Sequence, residues 1–333
     1  MKKINFLLAL LISFSSLFSQ QIQKTGTTAA QILKINAGPK AIGMGGAFCA
    51  TANDAYSFYW NPAGISNIQT AEAAFSHMDL YSSMLYYNYA SGAFYIDGIG
   101  SDGLFVNYLS TDEMPVRTLE NPEGTGEMFG YSSLVLGLGF ARNLTELFSI
   151  GFNLKYINEN LYHMSAQTFA FDIGVLYKID VLNQLRIAGV ISNFGPKMKL
   201  DGRDIIEFKK VGNNFVNTKL EVEEYDLPML FRIGLAADFL KTENLRMTAE
   251  VNAIHPNDHS EHINLGLEFS WSEVFFIRSG YNALFEYQSE KGLTFGVGFN
   301  LKLADYATAK FDYAYQDFGR LSQVHYFGFG IKL

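Results

Sequence analysis

The 333 residues are 48% hydrophobic and 15% aromatic, enough for a large core, yet no apolar run is long enough for a bilayer-spanning helix. Asp and Glu number 33 against 25 Lys and Arg, a formal charge of −8 at pH 7, and the basic residues form no cluster, which argues against nucleic acid as a partner. Cys49 is the single cysteine, which excludes an intramolecular disulfide, a four-cysteine zinc site and a lipid-modified mature N-terminus; it reads as a lone structural thiol.

Lys2 and Lys3 precede an apolar run over residues 4 to 12 and a serine-rich stretch over residues 13 to 19. This is the layout of a cleavable secretory signal peptide, residues 1–19, with cleavage expected near Ser19; the run is broken by Asn5 and falls short of the roughly 20 apolar residues of a membrane anchor. Export without another candidate helix leaves the periplasm or the outer membrane.

Residues 20–70 lack alternation and are rich in Gly, Ala and Thr, a segment of plug-like size. Gly43, Gly45 and Gly46 raise the question of a phosphate-cradling loop, but the strand and helix flanks and a following Lys-Ser/Thr are missing, so tight turns are the default reading. Asn61, Pro62, Ala63 and Gly64 also read as a turn, because Asn before Pro initiates turns and Gly adopts unusual dihedrals. Asp54 is expected to cap the residues after it or to pair with a lumen arginine.

From residue 71 to 333 one pattern recurs: about ten residues alternating apolar with polar or small, then a turn. Phe148, Ile150, Phe152, Leu154 and Tyr156 make one face, and Ser149, Gly151, Asn153 and Lys155 the other. In the last such segment Phe327, Phe329, Ile331 and Leu333 oppose Tyr326, Gly328, Gly330 and Lys332, and the chain ends on an apolar residue, as substrates of the barrel-assembly machine do. Strand starts are predicted near Ala71, Met84, Gly103, Tyr131, Leu147, Thr168, Gln184, Met229, Leu245, Glu261, Val274, Gly292, Thr308 and Gln323. That gives an all-β fold, a transmembrane antiparallel barrel of about 14 strands, as even-numbered bacterial barrels require. Short connections alternate with long ones, so short periplasmic turns, long external loops and both chain ends at the periplasmic side are expected. Every proline falls before the first strand or in an external loop, where no ladder donor is lost. Lys155, Asp172, Arg186, Arg232, Asp238, Glu250, Glu268, Arg278, Lys310 and Asp312 share one face, a poor core for a soluble sandwich but tolerable in a hydrated lumen. The other face then meets hydrocarbon, where only a closed barrel satisfies every backbone group.

Among chemical candidates, Arg186, Arg232, Glu250 and Arg278 stand out as lumen charges. His255, His259 and His262, near Asp258 and Glu261, are the one cluster with metal-ligand chemistry, and solvated loop imidazoles are the competing reading. The loop over residues 193 to 228 runs from basic (Lys197, Lys199, Arg203, Lys209, Lys210) to acidic (Glu221, Glu223, Glu224, Asp226), a candidate lid or docking surface. Tyr81, Tyr86, Tyr87 and Tyr89 read as an interfacial aromatic girdle. No motif marks a nucleophile, so no enzyme and no cofactor is expected.

The Gly38 to Phe48 run, the Ala52-Asn53-Asp54-Ala55 motif and the Trp60-Asn61-Pro62-Ala63-Gly64 motif resemble the start of FadL-like outer-membrane proteins, and more closely the PorV/PorQ branch associated with type IX secretion. The Ser192-Asn193-Phe194-Gly195-Pro196-Lys197 stretch and Leu227-Pro228 are similar to that branch too. The resemblance implies a fourteen-stranded barrel with its N-terminal segment at the periplasmic mouth or in the lumen. It implies as partners outer-membrane lipid, type IX translocon or attachment-complex subunits, and secreted cargo with C-terminal signal domains. A FadL-like channel for small hydrophobic compounds is the alternative it leaves open, and an unplugged porin-like pore is another.

Overall fold

The computed structural model describes residues 25–80, 84–181, 183–212, 214–286 and 289–333. The signal-peptide reading and Tyr81 lie outside the described residues. Fourteen long strands make the wall: β1 (Ala71–Leu80), β2 (Leu85–Ile96), β3 (Gly100–Thr111), β4 (Tyr131–Asn143), β5 (Phe148–Leu161), β6 (Met164–Ile179), β7 (Leu185–Phe194), β8 (Leu230–Lys241), β9 (Leu245–Pro256), β10 (His262–Trp271), β11 (Phe275–Leu284), β12 (Leu293–Ala304), β13 (Ala307–Asp317) and β14 (Gln323–Lys332). Each pairs antiparallel with its chain neighbours, and β1 pairs with β14, so the sheet closes and leaves no long edge exposed. The predicted starts match strand for strand; the largest displacement is at β6, which begins at Met164 rather than Thr168.

Alternation sorts the side chains as a membrane barrel requires. Phe75, Phe311 and Phe329 lie in one hydrogen-bonded row and point outward, exposed, with the Phe311 and Phe329 rings 5.2 Å apart. The intervening positions point inward and are buried, Ser149, Asn153 and Lys155 among them.

Polar lumen faces need partners, and the N-terminal residues supply them. Residues 28 to 68 run through the lumen in short turns, including the helical segments Gln31–Lys34, Pro39–Gly43, Ser57–Trp60 and Pro62–Asn67. Pro39 and Pro62 open their segments, where a missing N–H costs nothing. Ile32, Ile42, Phe48, Phe58, Trp60 and Ile65 are fully buried there and form one core with inward wall residues such as Tyr89, Phe105 and Ile157.

Several expectations are corrected. The lumen is not a hydrated conduit but is packed with this segment. The C-terminal end lies at the short-turn side, where the Leu333 N–H donates to the Ala71 carbonyl, and the N-terminal end lies outside the described residues. Thr28 and Ala29 sit at the long-loop side: the Ala29 N–H donates to the Asp226 carbonyl at 3.0 Å and the Thr28 hydroxyl to Asp258 at 2.6 Å. The segment thus threads the barrel from the loop end to the turn end before entering β1. Tyr87 and Tyr89 are not girdle residues; both point inward and are buried, Tyr89 against Tyr56 with centroids 5.5 Å apart. Pro256 is the last residue of β9, and Pro115 belongs to a two-residue ladder of Met114–Pro115 with Met128–Phe129. The long loop before β8 is itself built: Ile206–Val211 pairs with Asn214–Lys219, Met198–Lys199 pairs with Glu224–Tyr225, and Lys197 reaches Asp226 at 3.7 Å across its basic and acidic halves.

Candidate functional site

The lumen segment is held to the wall by backbone as much as by side chains. Glu250 on β9 accepts from the Ala50 and Thr51 N–H groups at 2.8 and 2.9 Å and from the Thr51 hydroxyl. On β12 the Thr294 hydroxyl accepts from the Gly45 N–H at 2.9 Å and donates to the Gly43 carbonyl at 3.2 Å. Asn264 donates to the Gly46 carbonyl, and Asn153 donates to that of Phe58 at 2.7 Å. Gly45 is a position where glycine is required twice over: its φ is +67°, and a Cβ there would lie 2.5 Å from the Leu265 carbonyl oxygen.

The turn motif closes on itself. The Asn61 side chain accepts from the Ala63 N–H at 3.0 Å and donates to the Cys49 carbonyl at 2.9 Å and the Val175 carbonyl at 3.2 Å. Asp54 accepts from the Tyr56 N–H at 3.0 Å; its cationic partner is Lys40 at 3.4 Å, within the segment, and not a lumen arginine. Gly64 packs against Ala52.

Wall charges are paired across strands. Lys155 meets Asp172 at 2.7 Å, Arg186 meets Asp238 at 2.5 Å, and Lys310 meets Glu72 at 2.8 Å. Arg246 meets Glu268 at 3.0 Å, and Arg278 bridges Glu268 at 2.8 Å and Asp312 at 2.5 Å. Such pairing is what makes buried charge tolerable, since an isolated ion in a dry interior costs several kcal/mol. Arg232 differs. It is 3% exposed and has no carboxylate partner among the described residues; its guanidinium lies 5.6 and 5.5 Å from the Tyr59 and Trp60 ring centroids and 3.4 Å from the Ser192 hydroxyl, and its Nε is buried without a partner.

Above Arg232 the loop end opens into a cavity of about 690 Å³. Tyr59, Trp60 and Arg232 lie toward the lumen segment; Ile35, Leu80, Leu85, Leu109, Leu230, Ile254 and Tyr326 line it; and Lys34, Glu159, Asp258, His259, His262, Glu286 and Lys291 are its other charged and imidazole groups. Beneath, between Tyr59, Lys155, Asn193 and Arg232, there remains only about 10 Å³, less than a second chamber needs. Among the described residues the cavity narrows sharply beside Arg232.

At the rim Lys34 pairs with Asp258 at 2.7 Å and His259 with Glu286 at 2.7 Å, tying the lumen segment to one loop and that loop to the next. Burial pushes the Glu286 carboxyl up, but the His259 hydrogen bond, the Lys291 charge and the Ser289 hydroxyl outweigh it and bring it to about 2. A depressed carboxylate contributes stability above its unfolded value and loses it as pH falls. The advantage of the parent over Glu286→Gln, read as unfolding free energy in detergent, should be full at pH 5 and shrink from about pH 4.3 toward 2. An advantage that grew on acidification would contradict this pairing.

The three histidines do not converge. His255 points outward at the end of β9 and pairs with Glu261 at 3.0 Å, His259 faces Glu286, and His262 contacts the Ser260 carbonyl. Among the described residues no three His, Cys, Asp or Glu side chains are grouped as metal ligands. Sequence reasoning missed the cavity. Its signal was a lapse of alternation near the loop ends, where inward Leu109 follows outward Tyr108 and inward Ile254 precedes outward His255.

No curated protein matches this chain in sequence. Among solved structures it is similar to the toluene transporter TbuX of Ralstonia pickettii, with a TM-score of 0.55 and 13% identity over 89% of this chain and 97% of that one. The toluene transporter TodX of P. putida gives 0.53 and 12% over 89% and 96%, and a FadL homologue of Pseudomonas aeruginosa gives 0.52 and 11% over 89% and 97%. At these identities the likeness establishes the fold, that of the FadL-like outer-membrane barrels. The family model described as type IX secretion system protein PorV matches residues 18–255, which include the lumen segment and the wall through most of β9. With match and architecture in agreement, this outer-membrane barrel belongs to the PorV family of type IX secretion proteins.

Proposed function

We propose that the protein acts in type IX secretion as a docking barrel that binds cargo or partner subunits at its loop end. The observation that carries this reading is the apolar cavity open at the loop end, which narrows to about 10 Å³ beside Arg232: a pocket of that shape suits an inserted segment of a partner better than a solute in transit. In this reading residues 1–19 are removed on export. Residues 20–70 are a fixed plug seated through Gly43, Gly45, Gly46, Asp54 and the turn Asn61, Pro62, Ala63 and Gly64, while Arg186, Glu250 and Arg278 stabilise the lumen. The partners are translocon or attachment-complex subunits, or secreted proteins with C-terminal signal domains.

The test is affinity purification of a loop-tagged protein from detergent-solubilised outer membranes, with companions and the mature N-terminal peptide read by mass spectrometry. A very large translocon barrel or cargo with shared C-terminal domains is expected, and Leu230→Glu, which puts a charge on the cavity wall, should reduce their recovery at least tenfold. A bare barrel carrying hydrophobic compounds would favour the second reading, a FadL-like transporter of small hydrophobic molecules. That reading draws on the apolar cavity lining and on the toluene transport named for TbuX and TodX.

A further inference from the structure

We infer that the inner end of the cavity is a carboxylate site, where Arg232 receives an acidic group carried on an apolar polypeptide segment inserted from outside. This rests on the docking reading and gives its ligand a chemistry. Five other lumen cations, Lys155, Arg186, Arg246, Arg278 and Lys310, each have a carboxylate within 3.0 Å. Arg232 is as buried as any of them and has none among the described residues; it meets the Ser192 hydroxyl at 3.4 Å, the Tyr59 hydroxyl and the Tyr59 and Trp60 rings, with Nε unpartnered. It also lines the cavity, so the missing charge can be supplied from there.

A guanidinium fork is matched by a carboxylate, which it can bind through two parallel hydrogen bonds. The lining around it, Leu109, Leu230 and Ile254, calls for an apolar body attached to that group. The rim pairs Lys34 with Asp258 and His259 with Glu286, offering donors and acceptors to peptide groups at the entrance. The narrowing to about 10 Å³ beside Arg232 favours a segment that stays anchored to its parent chain over a free amphiphile that has to move on.

The chain has two tryptophans, Trp60 beside Arg232 and Trp271 on the outer wall, so Trp271→Phe leaves one reporter at the site. Trp60 fluorescence of the full-length Trp271→Phe protein in detergent would be titrated with four probes. These are N-acetyl-Leu-Phe-Leu-Leu as free acid, the same peptide as its amide, an amidated version with Glu as its third residue, and 11-bromoundecanoate. The two acidic peptides should bind at least tenfold more tightly than the neutral amide. Arg232→Gln should bring that ratio near one, and Arg232→Lys should keep part of it.

Equal affinity for acid and amide, or a preference that survives Arg232→Gln, would overturn the inference. So would a clear preference for bromoundecanoate over both acidic peptides, which would assign the site to free amphiphiles. Whichever acidic peptide binds more tightly tells a chain terminus from a side chain as the source. Heat-shifted electrophoretic mobility checks folding; if Arg232→Gln fails to fold, the parent ratio and Arg232→Lys decide. Loss of secretion partners in Leu230→Glu together with an acid-to-amide ratio of one would leave docking standing and this inference refuted.

Discussion

Replacing Arg278 by leucine should cost the folded barrel about 3–5 kcal/mol, the usual penalty for removing one partner of a buried ion pair. The guanidinium is 3% exposed and joins β10, β11 and β13 through Glu268 at 2.8 Å and Asp312 at 2.5 Å, while stacking 5.0 Å from the Phe276 ring centroid. The wall is shaped around it: a Cβ on Gly298 would lie 2.8 Å from its Nη1. Leucine would leave Asp312 without its cation, whereas Glu268 would keep Arg246 at 3.0 Å. The loss should therefore come mainly from Asp312, and Arg278→Leu combined with Asp312→Leu should recover much of it. Denaturant unfolding in detergent, followed by heat-shifted mobility, reads the effect. A penalty under about 1 kcal/mol would mean that the pair is solvated in the folded protein.

The second large effect is expected from Gly45→Val. Left-handed backbone at a β-branched residue costs on the order of 1–3 kcal/mol, and here the added carbon would also collide with the Leu265 carbonyl and the Tyr281 backbone on the wall. The strands keep their own ladder, so the barrel should form while the segment around residues 43 to 46 fails to seat, giving ion conductance in planar bilayers and protease cleavage within residues 25 to 70. Gly26→Val is the control: its φ is +81°, but nothing lies within 4 Å of the added carbon. If both variants behave like the parent, the close approach at Gly45 is not what holds the segment.

Local period decided what could be read in advance. Alternation in β5, from Phe148 to Tyr156, is a property of neighbouring residues, and so are the fourteen strand starts and the assignment of Lys155, Asp172 and Glu250 to the inner face. Where both faces carry the same kind of side chain the pattern is silent. Tyr86, Tyr87 and Tyr89 look alike in sequence, and only the packing of Tyr89 on Tyr56 and Phe105 shows which of them point inward.

The sequence by itself determined a closed antiparallel wall with one greasy and one polar face, because a two-residue repeat and the demand for satisfied backbone groups in lipid leave no other arrangement. Tertiary structure decided what fills that wall. Glu250 reaches N–H groups 199 and 200 positions away, and Lys34 meets Asp258 across 224, so no local pattern could announce them. The same holds for the loop-end position of Thr28, the loop-end cavity, and the lack of a carboxylate beside Arg232 among the described residues. Each is set by which residues closure of the barrel brings together around the threaded segment, a matter of three-dimensional proximity that alternation along the chain does not encode.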